Sequence, residues 1–379
     1  MQKPITSALV VCMRRIGDVL LATPVVRSLK AAYPQAAVDM LVFSGTEAIV
    51  QASPDLRKVW TLPSTPTLSE SIRLVRSLWQ QYDVALSVLA GDRPTFFARI
   101  AGRHAVGLLV PDAKSWWKRQ LLSRWGPFDN LNTHTVAMNL RLLQILGVES
   151  RATPLVTWSQ DDEAVVRRDL PALDGGQPYV VLHVSPKFSY KAWNASGWAA
   201  LGTWLMDCGL RVVVAGGASS EELLTAQRIV GLMPAGAIDV TGRVSLRVLA
   251  CVLSRASLYV GTDTAVTHMA AALDIPTVAL FGPSNPVKWG PWPRDWPAGS
   301  VSPWRKVGQQ RQGNVYLLQG SGDCVPCMHE GCDQHVNSLS ECLQQLSTMR
   351  VIEAAALMLE GKRANLKSME LGLEMRGIR

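Results

Sequence analysis

Two doubly wound parallel α/β sheets in tandem, followed by a helical tail, are the architecture this sequence predicts. Three observations carry that reading. Apolar runs of strand length alternate with helical runs through both halves of the chain. Several strand runs end in small polar turns that open directly into helices, the pattern of a βα unit. At 379 residues the chain also exceeds one ordinary core, so two domains of roughly 150–180 residues are expected.

The first array begins with a strand over Leu9–Met13, a turn over Arg14–Asp18 and a helix over Val19–Tyr33, which Tyr33-Pro34 ends. A strand over Ala37–Phe43 follows, then a helix across Ser69–Gln81 and a strand over Asp83–Leu89. Val106–Leu108 reads as a short strand after Arg99–Arg103, and the helix Thr133–Leu146 stops at Gly147. Pro154–Trp158 reads as a linker, setting the first domain at 1–158.

A charged helix, Asp161–Leu170, opens the second domain, 159–347. Tyr179–Val184 is a strand, Ser185–Asn194 a loop, and a helix runs on through Leu205. The strand Arg211–Ala215 leads into Gly216-Gly217 and the helix Glu221–Val230; Ile238–Val240 and Leu246–Leu253 come next. Ala256–Val260 is then a strand, Gly261–Thr264 a polar turn, Val266–Leu273 a helix and Thr277–Phe281 a strand ending in Gly282–Pro286. That βαβ unit is a candidate diphosphate cradle. Ligands of open parallel sheets bind beyond the strands' C-terminal ends, where a helix N-terminus offers free N–H groups and a positive dipole. His268, on the helix's first turn, adds a possible donor. Residues 348–379 form a basic, mainly helical tail, of the kind that packs back on the first domain.

Composition bounds the function. The chain is 48% hydrophobic and 18% charged, a globular balance, and no apolar run approaches the roughly 18–20 residues of a membrane span. MQKPITSALVVCMRR reads as a first strand, without the cleavage site of a signal peptide, so a cytoplasmic protein is expected. A net charge of +8 favours an anionic partner: phosphate, nucleic acid or acidic lipid. No recognisable nucleic-acid motif accompanies the basic residues, so nucleic acid is set aside. Lys114–Trp125 is basic and aromatic; it suits a membrane interface or acceptor phosphates, or else is a packed helix with solvated charges.

At this point the residues resemble a known family. Ile16–Pro24 followed by Tyr33-Pro34 is similar to the N-terminal signature of the heptosyltransferases of lipopolysaccharide core synthesis. Gly261–Thr264 through His268–Leu273, with Phe281-Gly282-Pro283, resembles their second signature, and Lys191-Ala192-Trp193 followed by Trp198 their Lys-x-Trp segment. The resemblance implies a GT-B fold, two Rossmann-like domains facing across a cleft, and inverting transfer of heptose from ADP-heptose to a lipid-linked phosphorylated core oligosaccharide. It implies work at the inner face of the inner membrane as a peripheral protein. Two departures stand out. The usual glycine after Asp263-Thr264 is Ala265, and a cysteine-rich segment over 324–342 resembles the branch that adds the third, side-branch heptose. Another GT-B nucleotide-sugar enzyme, with a different donor or as an epimerase, or a degenerate binding scaffold remain the alternatives.

Glycosyl transfer needs a base for the acceptor hydroxyl and stabilisation of the departing diphosphate. Asp18, in the turn after the first strand, suits the base; capping the helix is the plainer alternative. No Asp-x-Asp is present to hold a divalent metal, so Lys191, His268 and the N–H groups after Asp263 must meet the charge. A surface lysine and a helix-face histidine are the corresponding alternatives. Asp263 would orient the turn or contact the sugar, with Thr264, Ala265 and Thr267 at the helix start, and Thr23 is a phosphate candidate from the first domain. Thr241, Gly242 and Leu246 occupy the family's adenine-pocket position; Glu221 or Glu222 suits the ribose hydroxyls, or simply the helix dipole. Arg14, Arg15, Arg93, Arg99 and Arg103 are acceptor-phosphate candidates.

Seven cysteines divide into two groups. Cys12, Cys208 and Cys251 lie in apolar elements as small core residues. Cys324, Cys327, Cys332 and Cys342, spaced C-x2-C-x4-C-x9-C, suggest a structural zinc without a part in transfer, with His329 and His335 as spare ligands. An iron–sulfur cluster or unligated thiols are the other readings; disulfides are disfavoured in a cytoplasmic protein.

Overall fold

A computed structural model of the chain describes residues 4–360; the remainder of the tail, 361–379, lies outside the described residues. The chain forms two units. One comprises residues through Ser159 with Asp295–Pro303, the other Gln160–Arg294 with the chain from Trp304 onward. Asp295–Pro303 thus leaves the expected second domain for the first unit, where the Val301 carbonyl accepts from the His134 N–H at 2.9 Å.

The N-terminal unit is built on six parallel strands: β1 (Ser7–Cys12), β2 (Ala37–Phe43), β3 (Lys58–Leu62), β4 (Tyr82–Ser87), β5 (Gly102–Leu109) and β6 (Arg124–Pro127). Their order is β3-β2-β1-β4-β5-β6, so the chain reverses its direction of travel between β1 and β4. β1 is apolar and buried from Ala8 to Cys12 because helices cover both faces of a parallel sheet. Helices α1 (Ile16–Ala32), α2 (Leu68–Leu78), α3 (Asp92–Ala101), α4 (Trp116–Leu121) and α5 (Thr135–Leu146) make the covering layers. β3 and β6 escaped the sequence pattern. β6 begins at the end of the basic, aromatic stretch, which divides into α4 and the start of a strand instead of forming one helix.

The C-terminal unit has seven strands: β7 (Tyr179–Ser185), β8 (Arg211–Gly216), β9 (Ile238–Asp239), β10 (Leu258–Thr262), β11 (Thr277–Phe281), β12 (Gln310–Gln312) and β13 (Val315–Gln319). Their order is β12-β13-β11-β10-β7-β8-β9, all parallel except β12 on the edge. The reversal here falls between β7 and β10. Helices α6 (Gln160–Asp169), α7 (Ala195–Asp207), α8 (Ser220–Gly231), α9 (Leu246–Ser254), α10 (Ala265–Ala272), α11 (Pro286–Trp289), α12 (Glu341–Gln344) and α13 (348–360) complete it. Val351, Ala354, Ala355 and Met358 of α13 join the core that Val180, Leu182 and Trp198 share. The described part of the tail therefore packs on its own unit.

At the N-terminal ends of the first sheet's strands, Asp39 is fully buried yet well satisfied. Arg57 grips it through Nε at 3.0 Å and Nη2 at 2.6 Å, and the Tyr82 hydroxyl donates to Oδ2 at 2.6 Å. Trp60 Nε1 donates to that same Tyr82 oxygen at 2.8 Å. This cluster joins β2, β3 and β4 at the edge away from the strands' C-terminal ends. Hydrogen bonds to charged groups contribute about 1.5–3 kcal/mol. Tyr82→Phe is therefore expected to lower unfolding free energy by about that amount in urea titrations.

Candidate active site

In the N-terminal unit, α1 starts just beyond β1 with Arg15 as its N-cap, making no side-chain capping bond. Asp18 is thus the third helical residue and not the cap. Its carboxylate lies in the first turn, where the helix dipole favours it, 7% exposed and 3.6 Å from Arg14 Nε. The Cys12 thiol is pushed up by its burial and then by the Asp18 charge, which places that charge against the end of β1.

Thr23 corrects an expectation. Pro24 inside α1 has no N–H to offer the Leu20 carbonyl four residues back. The Thr23 hydroxyl takes over, donating to that carbonyl at 2.7 Å, and accepts the Leu155 N–H at 2.8 Å. At 3% exposure it is a structural hydroxyl, not a phosphate ligand.

The five arginines also part company. Arg14 and Arg15 precede α1, and Arg93 lies at the start of α3, so all three stand at the strands' C-terminal edge. Arg93 donates to the Ser64 carbonyl at 2.8 Å. Arg99 is in the last turn of α3 and Arg103 at the start of β5, near Asp83 at 3.6 Å, so both belong to the opposite edge. The helix between β4 and β5 must run back across the sheet, and that separates residues only six apart.

The C-terminal unit gathers its candidates where the strand order reverses. Lys191, in the loop after β7, reaches Asp263, just beyond β10, at 2.6 Å from Nζ to Oδ2 and 3.1 Å to the backbone oxygen. Ser284, beyond β11, donates to the same Oδ2 at 2.6 Å. Three adjacent strand ends are thereby tied at one carboxylate that is 7% exposed. Burial pushes Asp263 up, but the Lys191 charge first, then His268 and the two side-chain hydrogen bonds, leave it net lowered, and so ionised.

α10 opens directly from this turn. Thr264 is its extended N-cap and Ala265 its first helical residue. Ala265 is not among the residues with positive φ, so the missing glycine demands nothing of the backbone here. Thr267 faces inward. It is fully buried, donates to the Thr262 carbonyl and meets the Tyr259 hydroxyl at 2.9 Å. That consumes the hydroxyl proposed for the donor. A Cβ on Gly261 would come within 2.1 Å of the same Tyr259 oxygen, so only glycine leaves room for this lock.

His268 is 5% exposed with Nδ1 unpartnered, and burial holds its pKa at about 4 despite the nearby Asp263 charge. The sequence reading missed His183, on β7, whose Nδ1 is equally buried and unpartnered, with a pKa of about 4. Thr241 and Thr262 also hold buried hydroxyls without partners. Polar atoms of this kind are costly unless a ligand or water meets them, and these four stand at one sheet edge.

Glu222 is the third residue of α8 and closes a capping box. Its carboxylate accepts from the Ser219 hydroxyl at 2.7 Å and from the Gly217 N–H at 3.1 Å. The dipole alternative therefore accounts for its position, with lone pairs left for a ribose hydroxyl. Gly242 adopts φ +67° in the turn after β9, and Leu246 is the first residue of α9.

Cys324, Cys327, Cys332 and Cys342 are free thiols, and His329 and His335 are exposed. Among the described residues no three His, Cys, Asp or Glu groups are arranged to hold a metal ion, so the expected cage is not gathered. The Cys342 thiol is nevertheless pushed up to about 11, by burial first and then by Cys327. In the basic, aromatic stretch, Lys118 is buried against Asp92 at 3.0 Å, while Trp116 and Trp125 are 65% and 42% exposed. No described helix is long and apolar enough to cross a membrane.

Comparison with known proteins agrees with this fold. The family model for glycosyltransferase family 9 (heptosyltransferase) matches residues 71–301. Lipopolysaccharide heptosyltransferase 3 of Escherichia coli K12 is 28% identical over 298 residues, 74% of this chain and 83% of that protein. Among solved structures, a family 9 glycosyl transferase from Veillonella parvula superposes with a TM-score of 0.76 at 19% identity, covering 95% of this chain and 99% of that one. The E. coli ADP-heptose LPS heptosyltransferase II does so with a TM-score of 0.73 at 18% identity, covering 94% and 99%. At these identities the structural likenesses speak for the fold.

The two buried histidines make the fold sensitive to acid. Each is held at about 4 against an ordinary 6.5, so between those values the unfolded chain binds protons that the native fold refuses. Stability is expected to fall as pH drops through that window, by about 3 kcal/mol per histidine at its lower end. Urea midpoints measured from pH 7 to 4.5 check this, and His183→Gln should flatten the dependence.

Proposed function

The chain belongs to glycosyltransferase family 9, the heptosyltransferases, and we propose that it transfers heptose from ADP-L-glycero-D-manno-heptose to the inner core of lipopolysaccharide. The reading is of inverting, metal-independent transfer that adds the third, side-branch heptose. The observation that carries it is Lys191, fixed by Asp263 at the reversal between β7 and β10, beside the N-terminus of α10. A cation and free helix N–H groups at that edge suit a departing nucleoside diphosphate. The similarity to a relative named lipopolysaccharide heptosyltransferase 3 supports the choice of heptose.

In this mechanism Asp18 accepts the proton of the acceptor hydroxyl as its oxygen bonds to the anomeric carbon from the face opposite the diphosphate. The bond from that carbon to the phosphate oxygen breaks, and its electron pair leaves with ADP. Lys191, the α10 N–H groups and the neutral His268 ring stabilise the new charge. Asp263, itself anionic, orients Lys191 and avoids the phosphates. Thr241, Gly242 and Leu246 line the adenine side, with Glu222 toward the ribose. Arg14, Arg15 and Arg93 meet acceptor phosphates. Exposed Trp116 and Trp125, with Lys114 and Arg119, suit peripheral contact with an anionic membrane.

Asp18→Asn is expected to lower kcat by about 10²–10⁴-fold while ADP binding by calorimetry stays nearly intact; unchanged turnover would falsify the base assignment. Product mass and linkage from a panel of truncated core acceptors checks the heptose position. A product on an acceptor that already bears the side branch would overturn it.

The same reading includes a structural zinc on the cysteine segment, binding of which would have to draw the four thiols together. Its donor set is soft, and the Glu341 N–H already approaches Cys332 Sγ at 3.5 Å. Protein purified without chelator should carry stoichiometric zinc and release it on thiol titration; metal-free protein with freely reactive thiols sinks the idea.

A further inference from the structure

Lys191 sits in a loop, and something must hold that loop at the strand ends. The chain neighbours of Lys191 are bonded from one distant segment. Ser340, 2% exposed, donates through Oγ to the Tyr190 carbonyl at 2.6 Å. Gln344 Nε2 donates to the Ala192 carbonyl at 2.8 Å. In return Trp193 Nε1 donates to the Leu346 carbonyl at 2.9 Å and Asn194 Nδ2 to that of Gln344 at 2.9 Å. Residues on both sides of Lys191 are thus tied to residues 340–346, which are some 150 positions away in sequence.

The same segment reaches the other side of the ion pair. A Cβ on Gly282 would stand 2.6 Å from Leu343 Cγ, so α12 packs directly on the loop that carries Ser284. Leu343 and Leu346 are buried in one core with Trp193 and Trp198. Residues 340–346 therefore bridge two of the three strand ends that meet at Asp263.

We propose that α12 and its flanks are a splint for the donor site, with Ser340 and Gln344 as positioning residues that act on transfer through Lys191. The proposal rests on the reading of Lys191 as the cation that meets the departing diphosphate. Both side chains are engaged with backbone carbonyls. Each fixes a carbonyl beside Lys191, and together they set where its ammonium stands. A displacement of a positioned group by about 1 Å can cost on the order of a hundredfold in rate.

A double-mutant cycle on the full chain tests it, with transfer followed by ADP release and ADP affinity by calorimetry. Gln344→Ala and Ser340→Ala are each expected to lower kcat by roughly ten- to a hundredfold, with a smaller change in KM. In a Lys191→Ala background the same substitutions should have no further effect, because residues acting through one group are not additive. Ser340→Thr, which keeps the hydroxyl, should restore most of the rate. Should Gln344→Ala fail to fold, Gln344→Glu keeps the shape, removes the donor and should show the same loss. Equal losses in both backgrounds, or no loss in either, overturn the splint while leaving Lys191 in place. Wild-type turnover by Lys191→Ala overturns both readings at once.

Discussion

An ammonium and a carboxylate 2.6 Å apart, enclosed where the second sheet reverses its winding, are the constraint around which the C-terminal unit is arranged. Burial alone would raise the Asp263 pKa. Lys191 first, then His268 and the bonds from Lys191 and Ser284, more than offset it. The geometry explains why the surrounding loops take fixed paths. The loop after β7 must deliver Lys191, the loop after β11 must deliver Ser284, and β10 must end where Asp263 can receive both. Removing the lysine would leave a buried charge uncompensated, which costs about 3–5 kcal/mol in such pairs. On the proposed reading, stability and donor chemistry are therefore joined in one contact.

Below that contact, a second set of bonds fixes the helix that completes the cradle. Tyr259, Thr267 and the Thr262 carbonyl fasten the first turn of α10 to β10. The glycine at 261 follows from this lock. A signature residue can thus serve its neighbours inside the fold, as Gly261 and Thr267 do here. Sequence pattern alone does not separate that role from a part in binding.

Much of the architecture was legible because parallel strands buried on both faces are continuous apolar runs; β1, β7, β10 and β11 stood out for that reason. β3, β6 and β12 did not, since edge strands expose one face and alternate weakly; β13, an inner and mostly buried strand, was missed although its run is apolar. At the site, Lys191, Asp263 and His268 were readable from their turns, and the structure brings them together. Thr267 misled because hydroxyls at a helix start look alike whichever way they point. Arg99 and Arg103 misled because closeness in sequence does not survive a helix that crosses the sheet. His183 was invisible: a histidine inside an apolar strand run reads as core. Ser284 lay in a loop already noted, but nothing in its sequence position names its partner. The Ser340 and Gln344 contacts span some 150 residues and have no local signature.

Thr23 and Pro24 carry a different kind of consequence. The hydroxyl answers a carbonyl that the proline leaves open, and it also receives the Leu155 N–H. The two residues form one unit of substitution. Loss of the threonine while the proline remains strands a buried carbonyl, a penalty of about 1–3 kcal/mol. Loss of the proline first lets the helix supply its own N–H and relieves the threonine of half its work. Drift through this pair is therefore directional: one order of changes crosses a stability deficit, and the other goes around it.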